Sequence, residues 1–110
     1  MKKKPTIKEQ AAMVNNLCVK TYMDILGYPG GIIERQGIAV FNSPFDEAGR
    51  LYVDKQTNKF RLSHDRLQGG ALDLACAIFK ESRSSILRNI ALYRIDWLMS
   101  ICGSHTGAIW

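Results

Sequence analysis

The apolar positions between residues 6 and 26 recur in steps of three and four: Ile7, Ala11, Val14, Leu17, Cys18, Tyr22 and Ile25. That spacing lines one face of a helix. Thr6 and Glu9 form the T-x-x-E pattern that caps a first turn, Gly27 supplies a stop, and Pro29-Gly30-Gly31 opposes resumption. The period then changes. Ile32-Ile33 and Ile38-Ala39-Val40-Phe41 flank Gln36-Gly37, which predicts a hairpin of about 32–35 and 38–42. The stretch from Asn42 to Gly49 is rich in turn formers and reads as a loop. Leu51-Tyr52-Val53 and the strictly alternating Lys59-Phe60-Arg61-Leu62 predict a second hairpin around polar residues 54–58. After a polar connection at 63–68, Gly69-Gly70 opens a helix through about Glu81 that carries Leu72, Leu74, Ala75, Ile78 and Phe79. A last helix starts near Ser82–Ser84 and carries Ile86, Leu87, Ile90, Ala91, Leu98 and Ile101, with Gly103 as its stop.

These elements predict an α+β fold: a small antiparallel sheet of two hairpins, flanked by an N-terminal helix and two C-terminal helices. One domain is expected over 6–103, between a flexible basic lead at 1–5 and a short tail at 104–110; 110 residues suffice for one core. Its expected members are Val14, Leu17, Ile25, Val40, Phe45, Val53, Phe60, Leu72, Ala75, Ile78, Leu87 and Ile90.

Charge adds an anionic partner to the picture. Lys and Arg number 15 against 10 acids, a formal charge of +5, but Lys2, Lys3 and Lys4 supply three of those cations. The body is only mildly basic, so charge alone does not identify nucleic acid. Cys18, Cys76 and Cys102 are widely spaced, with no CxxC or CxxxH pattern, so they do not announce zinc. Reduced thiols fit a cytoplasmic location. No apolar run follows the basic N-terminus and none approaches about 20 residues, so neither a secretory signal nor a membrane span is expected.

The chemistry concentrates around the second hairpin. Arg50, Tyr52, Lys55, Lys59, Arg61 and Arg66 combine cations that track phosphates with an aromatic face that stacks on bases, the two requirements of single-strand binding. Alternation puts Lys59 and Arg61 on one strand face and Phe60 and Leu62 on the other, which favours Phe60 as core. Tyr52 points opposite to Leu51 and Val53. The competing reading of this hairpin is a solvated sheet face with ordinary lysines. A second basic set, Lys80, Arg83, Arg88 and Arg94, reads more readily as a polar helix face. Catalytic patterns are absent: His64-Asp65 are merely adjacent, His105 lies in the tail, and the glycine clusters lack a phosphate-loop lysine. No enzyme activity and no cofactor are expected.

The order of short signatures resembles the N-terminal zinc-ribbon domain of bacterial replicative primases and its mobile-element relatives. An Ile25-Leu26-Gly27-Tyr28 helix end precedes a hairpin, and the family's Cys-Pro-Phe-His appears as Ser43-Pro44-Phe45-Asp46. Two strands follow, then Ser63-His64-Asp65-Arg66 stands where the family has Cys-x-x-Cys. Gly69-Gly70 leads into a helix with Asp73, and Ser84-Ser85-Ile86-Leu87 opens the next. The resemblance covers about residues 14–98. Ser43, Asp46, Ser63 and Arg66 occupy the ligand positions, and serine and arginine do not hold structural zinc, so no metal is expected. What the resemblance implies is a DNA-contacting accessory domain that acts beside a separate primase, helicase or mobilisation protein in replication or mobilisation of DNA. The alternative is a protein-interaction or dimerisation module, with Trp97 and Trp110 marking the surface.

Overall fold

A computed structural model describes residues 6–28, 30–33 and 35–106, without the side chains of 31–33, 35 and 102–106. Five antiparallel strands run as a meander in the order β1 (Gly30–Ile33), β2 (Ile38–Asn42), β3 (Arg50–Asp54), β4 (Lys59–Leu62) and β5 (Gln68–Gly69). The helices are α1 (Ile7–Asn15), α2 (Val19–Leu26), α3 (Ala71–Phe79), α4 (Arg83–Arg88) and α5 (Ile95–Thr106). This is the α+β architecture expected from the sequence. Among the described residues, no helix is long and apolar enough to cross a membrane.

The register defines two sheet faces. Ala39 pairs with Val53 and Val53 with Phe60; Phe41 pairs with Leu51 and Leu51 with Leu62. All six are buried, and they join Val14, Tyr22, Leu72, Leu74, Ile86 and Leu98 from the helices in one continuous core. The helices therefore cover the inner face and leave the outer face open. β1 enters with a bulge between Gly30 and Ile32. A side chain at Gly30, whose φ is +122°, would place its Cβ 2.6 Å from the Phe41 Cα and the Val40 carbonyl, so only glycine lets β1 lie this close.

The structure corrects several expectations. The single helix over 6–26 is two helices, broken at Asn16–Cys18. Thr6 caps α1 as predicted, its hydroxyl accepting from the Glu9 N–H at 3.1 Å. The break itself is held from elsewhere in the chain. Asn58, at the β3–β4 turn, accepts from the Val19 N–H at 3.0 Å and donates to the Leu17 and Asn16 carbonyls at 2.8 and 3.3 Å. Asn15 closes a second long-range cap, accepting from the Leu72 N–H at 3.0 Å on the first turn of α3. Gly70 fits beneath it because a Cβ there would meet Asn15 Oδ1 at 2.7 Å. The last predicted helix is likewise two, α4 and α5. Between them Arg94 adopts a left-handed conformation, and the buried Tyr22 hydroxyl donates to the Tyr93 carbonyl at 2.6 Å. α5 passes through Gly103, whose modest helix penalty does not end it.

Of the expected core, Val14, Leu17, Val53, Phe60, Leu72 and Ala75 are buried, while Ile25, Val40, Ile78, Leu87 and Ile90 are half-buried. Val40 lies on the outer face because Ala39 and Phe41 take the inner one; an unbroken apolar run does not declare its own register. Phe45 is 42% exposed, displaced from the core by a loop that satisfies its own backbone.

Candidate nucleic-acid interface

Period-two alternation and strand pairing set the outer-face side chains in rows. Tyr52 stands between Val40 and Arg61, and Arg61 stands next to Gln68. At a strand spacing of about 4.8 Å this row spans roughly 14 Å. Ile38, Asp54 and Lys59 form a second row, and Asn42 with Arg50 a third. Arg50, Tyr52, Lys59 and Arg61, four of the six residues singled out in the sequence, thus share one face. Lys55 is exposed in the turn at the Lys59 end, and Arg66 is exposed in the β4–β5 connection, off the strands.

The face is concave around Tyr52. Ile38, Tyr52, Asp54, Lys59, Arg61 and Gln68 line a shallow groove of about 310 Å³. The Arg61 guanidinium sits 4.8 Å from the centre of the half-buried Tyr52 ring, within cation–π range. Among the described residues, the ion pairs are Lys20–Asp24, His64–Asp46 and Arg83–Asp73, so Lys55, Lys59, Arg61 and Arg66 have no acidic partner. Asp54, the carboxylate on this face, is engaged by its own turn: its Oδ1 accepts from the Gln56 N–H at 2.9 Å. The groove therefore presents two cations, Lys59 and Arg61, beside the Tyr52 ring, the half-buried Ile38 and one carboxylate, Asp54.

Sequence reasoning missed Gln68 and Ile38 as members of this face. β5 is two residues long, too short for alternation to show, and Ile38 belongs to the same unbroken apolar run as Val40.

A separate cleft of about 90 Å³ gathers Ser43, Asp46, Ser63 and His64 near the opposite end of β3 and β4. Hydrogen bonds hold it. Ser43 Oγ accepts from the Phe45 N–H at 3.1 Å, Asp46 Oδ1 from the Ala48 N–H at 3.0 Å, and Ser63 Oγ from the Arg50 N–H at 2.9 Å. His64 Nδ1 lies 2.7 Å from Asp46 Oδ2. The hydrogen bond from His64, with the Ala48 amide second, holds the Asp46 carboxyl below its ordinary range. Three of the four positions that the primase resemblance marks for zinc are thus brought together, but they do not fit the ion. Asp46 and His64 supply two donors, the serine hydroxyls are poor ligands, and structural zinc takes three or four Cys or His. Among the described residues, no group of three or more His, Cys, Asp or Glu is placed to hold a metal.

The second basic set is not gathered into a site. Arg83 is paired with Asp73 at 2.8 Å, Lys80 ends α3 in a left-handed conformation, and Arg94 lies 5.8 Å from the Trp97 ring centre. Trp97 is 62% exposed on α5, and Leu92 is also exposed. Trp110 and the side chains of Cys102 and His105 lie outside the described residues. Comparison of the chain with protein-family models, with curated proteins and with solved structures returns no match.

Proposed function

We propose that the outer sheet face binds the backbone of single-stranded DNA, making this chain an accessory module for a separate primase, helicase or mobilisation protein. The observation that carries the reading is the set of unpaired cations, Lys55, Lys59, Arg61 and Arg66, beside an aromatic groove that the helices leave uncovered. A carboxylate partner would compete with phosphate for each of these side chains; none of the described ones does so. The resemblance of the short sequence signatures, Ser43-Pro44-Phe45-Asp46 among them, to those of primase zinc-ribbon domains points to the same reading.

The test is a salt titration of binding to a labelled oligodeoxynucleotide. Each phosphate contact on a single strand releases about 0.7 counterion, so three contacts set a slope of log affinity on log salt near −2. Replacing Lys59 and Arg61 together by alanine should flatten that slope by about 1.4. The loss should be alike for all sequences, because backbone contacts carry no base information. Deleting residues 1–4 is the control for binding by the lysine run. If that deletion abolishes binding while the double variant binds normally, the face is not the site. A second reading, a protein-interaction module, is favoured by the exposed Trp97 on α5 and the exposed Leu92 in the turn before it. Normal self-association or partner binding with no salt-dependent DNA affinity would select it.

A further inference from the structure

Resting on the reading of this face as a DNA interface, we propose that the Arg61 guanidinium, held over Tyr52, is the plane on which an unpaired base stacks. The two residues divide the work in a way their sequence positions do not show. Tyr52 is half-buried, and the Arg61 guanidinium lies over its ring, 4.8 Å from the centre, before any ligand arrives. Arg61 is exposed, has no acidic partner among the described residues, and projects from the middle of the row Val40–Tyr52–Arg61–Gln68. A guanidinium is planar and weakly hydrated, and stacks on π-faces; bases stack on arginine planes as well as on aromatic rings. Tyr52 is then a positioning residue: it orders a long side chain whose rotamer freedom would otherwise be lost on binding. Val40 and Ile38 supply apolar surface beside the stacked base, and Gln68 supplies an amide at its edge.

This arrangement selects for unpaired bases. In a duplex the base faces are covered by their neighbours, so phosphates and groove edges remain for Arg61 but no face on which to stack.

The experiment compares the full chain with Arg61→Lys, which keeps the charge and removes the plane. Three probes are used at fixed salt: a short oligodeoxyadenylate, a stable abasic strand of the same length, and a duplex. Arg61→Lys should weaken oligodeoxyadenylate binding by about 5- to 150-fold, the range for losing one stacked base. The salt slope should hold, and the loss should be confined to strands with accessible bases. Tyr52→Leu should produce a loss of the same kind, and the double variant little more than either alone, since both act through one platform. Equal binding of oligodeoxyadenylate by wild type and Arg61→Lys, or equal losses on the abasic strand, would overturn the proposal and leave Arg61 with its phosphate contact and no stacked base. Absence of salt-dependent binding by the wild type to any of the three probes would overturn the DNA reading together with it.

Discussion

Asn58→Ala tests the claim that the hairpin bearing the candidate site is fastened to the helical layer through one side chain. Asn58 Oδ1 accepts from the Val19 N–H at 3.0 Å, and Nδ2 donates to the Leu17 carbonyl at 2.8 Å and, more weakly, to Asn16 at 3.3 Å. Its backbone is left-handed, with φ at 58°. Each hydrogen bond contributes about 0.5–1.5 kcal/mol net, and alanine in the left-handed region costs about 1–2 kcal/mol. Three bonds and the strain together give an expected destabilisation of about 2.5–6.5 kcal/mol, which lowers the melting temperature of a domain this size by about 10 °C or more. Asn58→Gly separates the terms: it loses the same hydrogen bonds without the backbone strain, and should destabilise by about 1–2 kcal/mol less than alanine. Asn58→Asp keeps the acceptor for Val19 but sets a carboxylate oxygen against the Leu17 and Asn16 carbonyls, so it should recover little of the loss. Thermal melts measure the totals, and hydrogen exchange at the Val19 amide reads the cap directly. Melting within about 2 °C of wild type for both the alanine and glycine variants would refute the reasoning.

Three further outcomes are expected. The purified protein should contain well under one zinc per chain and melt identically with and without a chelator, because Ser43, Asp46, Ser63 and Arg66 do not make a zinc donor set; stoichiometric zinc on His64 and a cysteine would contradict this. Phe60→Ala should cost about 3–5 kcal/mol in denaturant melts, since the ring is 1% exposed at the centre of the inner face. The depressed Asp46 carboxyl contributes stability that is present above the ordinary aspartate pKa of about 3.9 and lost as pH falls through its lower folded value. NMR titration should show that carboxyl moving up in His64→Ala, and Asp46→Asn should shallow the acid limb of the stability curve.

The sequence by itself determined the elements with a clean period or a local punctuation mark. Lys59-Phe60-Arg61-Leu62 alternates strictly, and the structure finds Phe60 and Leu62 inside with Lys59 and Arg61 outside. Thr6 and Gly27 mark helix ends by backbone chemistry that needs no partner from elsewhere, whereas Gly69-Gly70 marks the start of α3 but leaves its cap to Asn15. From that alone the α+β class follows, as does the common face of Lys59 and Arg61; the pairing of β3 with β4 adds Arg50 and Tyr52 to it. Tertiary structure decided whatever depended on groups distant in sequence. The break between α1 and α2 interrupts a helical apolar pattern because Asn58, about forty residues away, caps its free amide and carbonyls. Ala39 rather than Val40 faces the core because pairing with Val53 sets the register, and a one-residue slip would exchange the two faces. Gln68 joins the groove, and Arg61 covers Tyr52, only once β3, β4 and β5 lie side by side. Period and capping are properties of neighbouring residues, whereas register, trans caps and stacked pairs are energies of contact that exist only after the chain has closed on itself.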